Sequence, residues 1–327
     1  MTRIVIGLLF VCAATAQLPR VGDINFYGLH KMRPDQILAA ARIGTGDSLS
    51  ASRIDLEDRI ISLPDVMDAH VQSVCCEGDR TTLFIGIQER GETGVEFREP
   101  PSGTATVPPD VMTRYRRYSG AAARAELKGN PPDAAIRRDQ EYFRAYAALH
   151  LVKLRAELRS GTEPEERAAA VAIIASSSNK KAALDDLLFA LQDPDDGVRI
   201  NAIRELTAIA VVARRQPALG IRIPPAGLVD LLNSVVLSDR VESTKALLVL
   251  TEKQNDAALD LIRERALASL AEMARWPTRS YALAPFQLLG RVAGLKDSEV
   301  NESWEHGDPE LVIQQALDSA AKKPGLQ

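Results

Sequence analysis

A chain of 327 residues with 40 basic and 44 acidic side chains carries a formal net charge of −4, which excludes a general polyanion-binding field. Its 46% hydrophobic and 26% charged content excludes a wholly disordered chain and, at about 150 residues per domain, allows about two domains. With only 2 Trp, 6 Tyr and 7 Phe, the core falls to Leu, Ile, Val and Ala, favouring helix packing over a β-sandwich; 3 Cys and 4 His are too few and too scattered for a disulfide framework or a zinc module.

Residues 1–16 read as a secretory signal peptide. Arg3 supplies a positive start, Ile4 to Ala13 is an apolar run, and Ala14-Thr15-Ala16 is a small-residue cleavage site before Gln17. A run of about ten residues is too short to span roughly 30 Å of hydrocarbon as a helix. An uncleaved anchor and acylation at Cys12 are the alternatives, the second weakened because Val11 stands where a small residue is wanted. No later stretch is apolar enough to cross a membrane. The expectation is an exported protein, periplasmic or outer-membrane-associated, with no transmembrane segment after signal removal.

Residues 17–91 follow the order strand, helix, helix, strand, strand. Val21, Ile24 and Phe26 mark a strand stopped by Gly28, and Pro34 opens a helix carrying Ile37, Leu38 and Ala41. Ser50 or Ser52 caps a second helix with Ile54, Leu56, Ile60 and Ile61, ended by Pro64. Val66 to Cys75 and Thr82 to Gln88 form a hairpin around Glu77-Gly78-Asp79-Arg80.

Four segments together carry a resemblance: Ile24-Asn25-Phe26-Tyr27-Gly28-Leu29, Gly46-Asp47-Ser48-Leu49-Ser50, the stretch from Leu63-Pro64-Asp65 to His70-Val71, and Leu83-Phe84-Ile85-Gly86-Ile87-Gln88-Glu89-Arg90. The stretch resembles a POTRA domain, the periplasmic module of outer-membrane barrel assembly proteins, two-partner secretion transporters and septal division proteins. It departs from them in being a single copy with no β-barrel pattern after it. The resemblance implies protein recognition by strand addition at an exposed sheet edge, and with it an outer-membrane assembly or cell-division accessory role.

Residues 92–131 read as a proline-rich linker. Glu99-Pro100-Pro101-Ser102-Gly103, Val107-Pro108-Pro109 and Pro131-Pro132 suggest a semi-stiff tether between halves that fold independently. Val111 to Leu127, with Tyr115, Arg116, Arg117 and Tyr118, allows a short helix that packs its tyrosines and solvates its arginines.

From residue 132 to 327 the apolar spacing is helical. The stretch Leu187 to Leu206, with Asp193-Pro194-Asp195 at its turn and Val198-Arg199 opening the next helix, resembles a HEAT repeat. Weaker copies of an arginine followed by a small residue three on and an apolar one seven on occur at Arg167/Ala170/Ile174, Arg240/Ser243/Leu247 and Arg279/Ala282/Phe286. With Arg199 included the arginines lie 32, 41 and 39 residues apart, near the roughly 40–47 of HEAT or armadillo units. The fold class expected is therefore a small α/β module followed by an all-α solenoid. The HEAT resemblance implies that Asp193 and Arg199 pair in a structural ladder between repeats. Arg204 and Lys245, each five residues after a ladder arginine, fall on a solvated face and are candidates for partner binding. Arg275-Trp276-Pro277 reads either as a binding lip or as a helix stop with a buried indole.

No constellation for chemistry emerges. His30, His70, His150 and His306 are isolated from one another and from ligand-spaced cysteines. Cys75-Cys76 allows a vicinal or intermolecular disulfide, or one packed and one outward thiol. Glu163, Glu165 and Glu166 suit a helix N-terminus. No catalytic, cofactor-binding or metal-binding residue is assigned. The expectation is a non-enzymatic scaffold of the bacterial envelope that binds protein partners and no nucleic acid. A hydrolase with its site in the helical groove is the alternative from another class. Converging carboxylates in a deep pocket would favour the enzyme, and a shallow face of mixed charge the scaffold.

Overall fold

The computed structural model describes residues 18–77, 80–253 and 255–321. The expected signal peptide at 1–16 lies outside the described residues.

The N-terminal module has the expected order: β1 (Arg20–Tyr27), α1 (Pro34–Ala41), α2 (Arg53–Ile61), β2 (Val66–Glu77) and β3 (Arg80–Glu89). Gly28 ends β1 at φ 77°, where a Cβ would lie 2.1 Å from the Ile87 carbonyl oxygen; only glycine fits that close approach. Ser52 opens α2 by a reciprocal cap, its hydroxyl accepting from the Asp55 amide at 3.1 Å while the Asp55 carboxylate accepts from the Ser52 amide at 3.1 Å. The strands form one sheet in the order β1-β3-β2, with β3 parallel to β1 and antiparallel to β2.

Both faces of the central strand are buried, for different reasons. Leu83, Ile85 and Ile87 pack with Ile37, Leu56 and Ile60 of the two helices. Phe84, on the opposite face, joins Tyr27 in the core of the helical half.

The helical half pairs a first and a second helix in each unit. α4 (Ala134–Ser160), α6 (Lys180–Ala190), α8 (Ala226–Leu231), α10 (Asp256–Arg265) with α11 (Leu267–Ala274), and α13 (Asp297–His306) are the first helices. α5 (Pro164–Ala175), α7 (Asp196–Arg215), α9 (Leu237–Thr251), α12 (Arg279–Val292) and α14 (Pro309–Ala321) are the second, stacked each on the next. Small residues let them approach: Ala170, Ala202, Ser243 and Ala282 are all fully or almost fully buried. The Ser243 hydroxyl has no hydrogen-bond partner. Ser243→Ala is therefore expected to raise stability by about 1 kcal/mol, read from urea unfolding; a loss of stability would show that the hydroxyl has a partner.

The proline-rich stretch is not a tether. Residues 93–108 run without turn or bend, as the prolines dictate, but the segment is strapped along the solenoid. The Phe97 ring lies 3.8 Å beneath the Arg199 guanidinium, and the Arg98 guanidinium lies 3.2 Å above Phe189. The Arg98 amide donates to the Gln192 carbonyl at 2.9 Å, and the Val107 amide to Glu166 Oε2 at 2.9 Å. α3 (Pro109–Leu127) then packs on α4 and α5. Its Tyr115 is buried, while Arg114 and Arg117 both reach Asp139 at 2.6 Å. The expectation of two halves hinged by a linker at 92–131 is thus corrected: apolar and cationic side chains along the strap fix it to the helices.

Candidate functional site

Arginines open α5, α7, α9 and α12, and the first three of them reach in two directions. Backward, Arg167 Nη1 donates to the Gly161 and Thr162 carbonyls at 3.1 Å, Arg199 Nη1 to those of Asp193 and Pro194 at 2.7 and 2.9 Å, and Arg240 Nε to that of Ser234 at 2.6 Å. Forward, Arg167 meets Asp193 at 2.8 Å, Arg199 meets Asp239 at 2.8 Å and Arg240 meets Glu272 at 3.3 Å. Arg279 donates to the Trp304 carbonyl at 2.9 Å and covers its ring. Arg167, Arg199 and Arg240 thus each close their own turn and tie it to the next unit, and Arg279 makes the forward tie alone. Burial pushes the Asp239 carboxyl up, against the pull of its Arg199 hydrogen bonds.

Asp193 and Arg199 do not form an ion pair with each other. Asp193 accepts from Arg167 of the preceding unit and Arg199 reaches forward to Asp239, so the expected pair is split between two successive rungs. Spacing hid this. The acid lies 26, 40 and 32 residues after its arginine, because the helices and connections between them differ in length, α7 with 20 residues against 12 in α5 above all.

The module docks on this ridge of turns. Trp276 is 5% exposed, lies 5.2 Å from Phe84 and 5.7 Å from Tyr27, and donates from Nε1 to the Phe26 carbonyl at 2.9 Å. Asn25 Nδ2 donates to Thr278 Oγ1 at 2.9 Å, Tyr27 Oη to the Val235 carbonyl at 3.0 Å, and the Gly28 amide to Glu272 Oε1 at 2.9 Å. A Cβ on Gly86 would lie 2.3 Å from the Val235 carbonyl oxygen, so glycine sets how closely sheet and turns approach. Trp276 is therefore a seam residue and not an exposed binding lip, and Arg275 beside it is held by Glu310 at 3.0 Å.

Groups on the sheet edges on which strand addition depends are also occupied, one by docking and the rest by the module itself. On β1 the Val21 amide donates to the Asp47 carbonyl at 2.8 Å, the Val21 carbonyl accepts from Gly46 at 2.7 Å, and the Phe26 carbonyl accepts from Trp276. On β2 the Ala69 and Val71 amides donate to the Asp68 and Glu57 carboxylates, both at 2.8 Å. The expectation of an open edge strand is corrected accordingly, since these carboxylates protect β2 against pairing. Cys75, farther along β2, is disulfide-bonded; the side chain of Cys76 lies outside the described residues.

Arg204 and Lys245 fall on the solvated face, 47% and 53% exposed, and converge on Glu242 at 3.6 and 3.0 Å. This row across α7 and α9 is of mixed charge. A cleft of about 960 Å³ opens elsewhere, between the end of the sheet, strap residues 92–97 and helices α8 and α11. Four of its carboxylates are engaged, Glu92 by Lys31 at 2.9 Å and Asp230 by Arg265 at 3.4 Å among them. Glu89 accepts from the amides of His30, Lys31 and Met32 at 2.8–3.0 Å; burial would push it up, but these bonds hold it below the ordinary range. Glu272 is pushed up by burial and steadied by Arg240 and the Gly28 amide.

Glu157, at the end of α4, is different. It is 1% exposed, and neither carboxylate oxygen has a hydrogen-bond partner. Burial first, then the charge of Glu166, pushes it from 4.5 up to about 7, with Arg167 opposing. In the unfolded chain the group ionises near its ordinary value, so between the two values the folded protein holds the extra proton. The contribution of this group to stability is then fully present below about pH 4.5 and is lost as pH rises through about 7, by roughly 3 kcal/mol in all. Glu157→Gln is expected to remove that fall, matching wild type near pH 4.5 and exceeding it near pH 8 in urea unfolding. Parallel pH profiles for the two proteins would refute this assignment.

With the geometry established, comparison with known proteins places one part of the chain. Residues 151–222 match the family model of HEAT repeats. The match runs from the second half of α4 through α7 and includes the first rung of the ladder, Arg167–Asp193, and the arginine of the second. No curated protein matches the chain. The described helices continue the same stacking beyond the match, and the repeats point to a helical scaffold for protein interaction. No described helix is long and apolar enough to cross a membrane, and no group of described His, Cys, Asp and Glu residues has the arrangement of a metal site.

Proposed function

We propose that the chain is an exported, non-enzymatic protein-interaction scaffold of a Gram-negative-type envelope, in which a POTRA-like module is built onto a HEAT-type solenoid. The observation that carries the reading is the HEAT match together with the buried arginine ladder, which makes the stacked second helices one stiff surface. Support for the POTRA-like part comes from the β-α-α-β-β order with β3 central. Support for export comes from Arg3, the apolar run after it and Ala14-Thr15-Ala16, and from the disulfide at Cys75, a bond that persists in oxidising compartments.

The scaffold acts by presenting charges in a fixed geometry. Arg204 and Lys245 share one Glu242, so an acidic partner side chain reaching this row finds cations only partly neutralised. The test combines fractionation of the tagged full-length chain with capture of envelope proteins by wild type and by Arg204→Glu/Lys245→Glu. The expected result is a periplasmic or outer-membrane fraction with Cys75 oxidised, and capture that the double variant weakens while its stability stays within about 0.5 kcal/mol per site. A cytoplasmic chain with reduced cysteines would overturn the envelope reading. Turnover of an ester, amide or phosphate substrate by the purified protein would overturn the non-enzymatic one.

A further inference from the structure

The cleft between module, strap and solenoid has one wall made of backbone. Residues 93–97 all line it and run without turn or bend. Among the described residues no hydrogen bond uses their amides or carbonyls; the neighbouring Glu92 carbonyl accepts from Gln88, and the Arg98 amide is held by Gln192. An extended chain with unpaired backbone is the template that strand addition needs. Here it lies inside a concave site instead of at the margin of the sheet, whose own edges are occupied by Asp47, Trp276, Asp68 and Glu57. The charged residues of the walls are mostly acidic, and of these Glu96 is exposed and free of an ion pair among the described residues while Glu92 is held by Lys31. Glu89, Glu92, Glu96, Asp230 and Glu272 line the cleft against Arg240 and Arg265. Arg240 is already engaged with Glu272 and Arg265 with Asp230.

We infer that this cleft binds an extended, basic polypeptide segment, which pairs as a short strand with residues 93–97 and places Lys or Arg side chains against Glu96 and the other wall carboxylates. The cleft volume of about 960 Å³ lies at the upper end of ligand sites, about 300–1,000 Å³. Five residues give a strand of roughly 16 Å. Backbone pairing supplies affinity without sequence, and the acidic walls supply the preference for basic side chains. The inference rests on the scaffold reading only in taking polypeptide as the ligand. It concerns a surface separate from the Arg204–Lys245 row, so either can fail without the other.

The test uses the full chain with three labelled octapeptides: alternating lysine and valine, alternating glutamate and valine, and the lysine-valine peptide N-methylated at alternate residues. Fluorescence anisotropy is expected to show binding of the first, and affinity at least about tenfold weaker for each of the other two. Hydrogen exchange is expected to be fast at the amides of 93–97 in the free chain and slowed there by the first peptide. Glu96→Lys, exposed and outside the core, is expected to weaken binding about tenfold with an unchanged thermal midpoint. Equal binding of all three peptides, protection confined to other segments, or no binding at ~1 mM peptide would overturn the inference.

Discussion

Arg199→Ala is expected to destabilise the protein by roughly 3–5 kcal/mol, the cost of breaking a buried pair by removing one partner. Arg199 is 1% exposed and Asp239 is not exposed at all. The guanidinium holds Asp239 at 2.8–3.1 Å and also the Asp193 and Pro194 carbonyls. Truncation leaves a buried carboxylate with the Ser234 hydroxyl, at 2.7 Å, as its donor among the described residues, removes two hydrogen bonds from the turn, and deprives Phe97 of the group stacked on it. Urea unfolding of Arg199→Ala, Asp239→Ala and the double variant separates these contributions. Once Asp239 is gone the stranded charge is gone, so the double variant is expected to lose much less than the sum of the singles. A double variant that loses the full sum would mean the two side chains act independently and that no rung exists.

The second large effect is expected at the seam. Trp276→Ala should cost roughly 3–5 kcal/mol, as for other buried aromatics, and should also change the form of the transition. In the wild type Phe84 and Tyr27 of the sheet share one core with the helices, so calorimetry is expected to record a single cooperative unfolding. Without the indole the cavity falls between module and solenoid, and the Phe26 carbonyl loses its donor. The transition is then expected to split, with the module unfolding first and the strap becoming sensitive to protease. Two transitions already present in the wild type would show that the halves are thermodynamically separate despite their contact. Gly86→Val offers an independent check, since any side chain there meets the Val235 carbonyl and the Tyr27 ring.

Much of the local structure was legible from periodicity and punctuation. The elements of the module, the Ser52 cap and the turn at Asp193-Pro194-Asp195 follow from spacing, Pro, Gly and polar caps. The arginines of the ladder were also visible, because they recur at the same place on each second helix. Their acids were not, since the helices and connections between them vary in length, α7 above all, and shift each partner. The largest omission was the seam, and its signal was present. Leu83 to Ile87 is an unbroken apolar run apart from Gly86, and such a run marks a strand covered on both faces, where alternation would mark one. A proline-rich stretch was read as a tether because its composition specifies an extended chain but says nothing of what that chain lies against. Phe97 and Arg98 decide that, through stacking partners about 90 to 100 residues away.

The docking of the first strand against Val235, Glu272 and Thr278 has a consequence for how the chain is made. The contacts of Asn25, Tyr27 and Gly28 span 253, 208 and 244 residues of sequence. At the ribosome's pace of roughly 5–20 residues per second, the surface that receives Tyr27 and Phe84 is synthesised some 10–50 s after they are. Throughout that interval the sheet has its two helices on one side and an uncovered aromatic face on the other. Closure of the seam is a late step of high contact order, and until the last repeats are in place the aromatic face of the module stays uncovered.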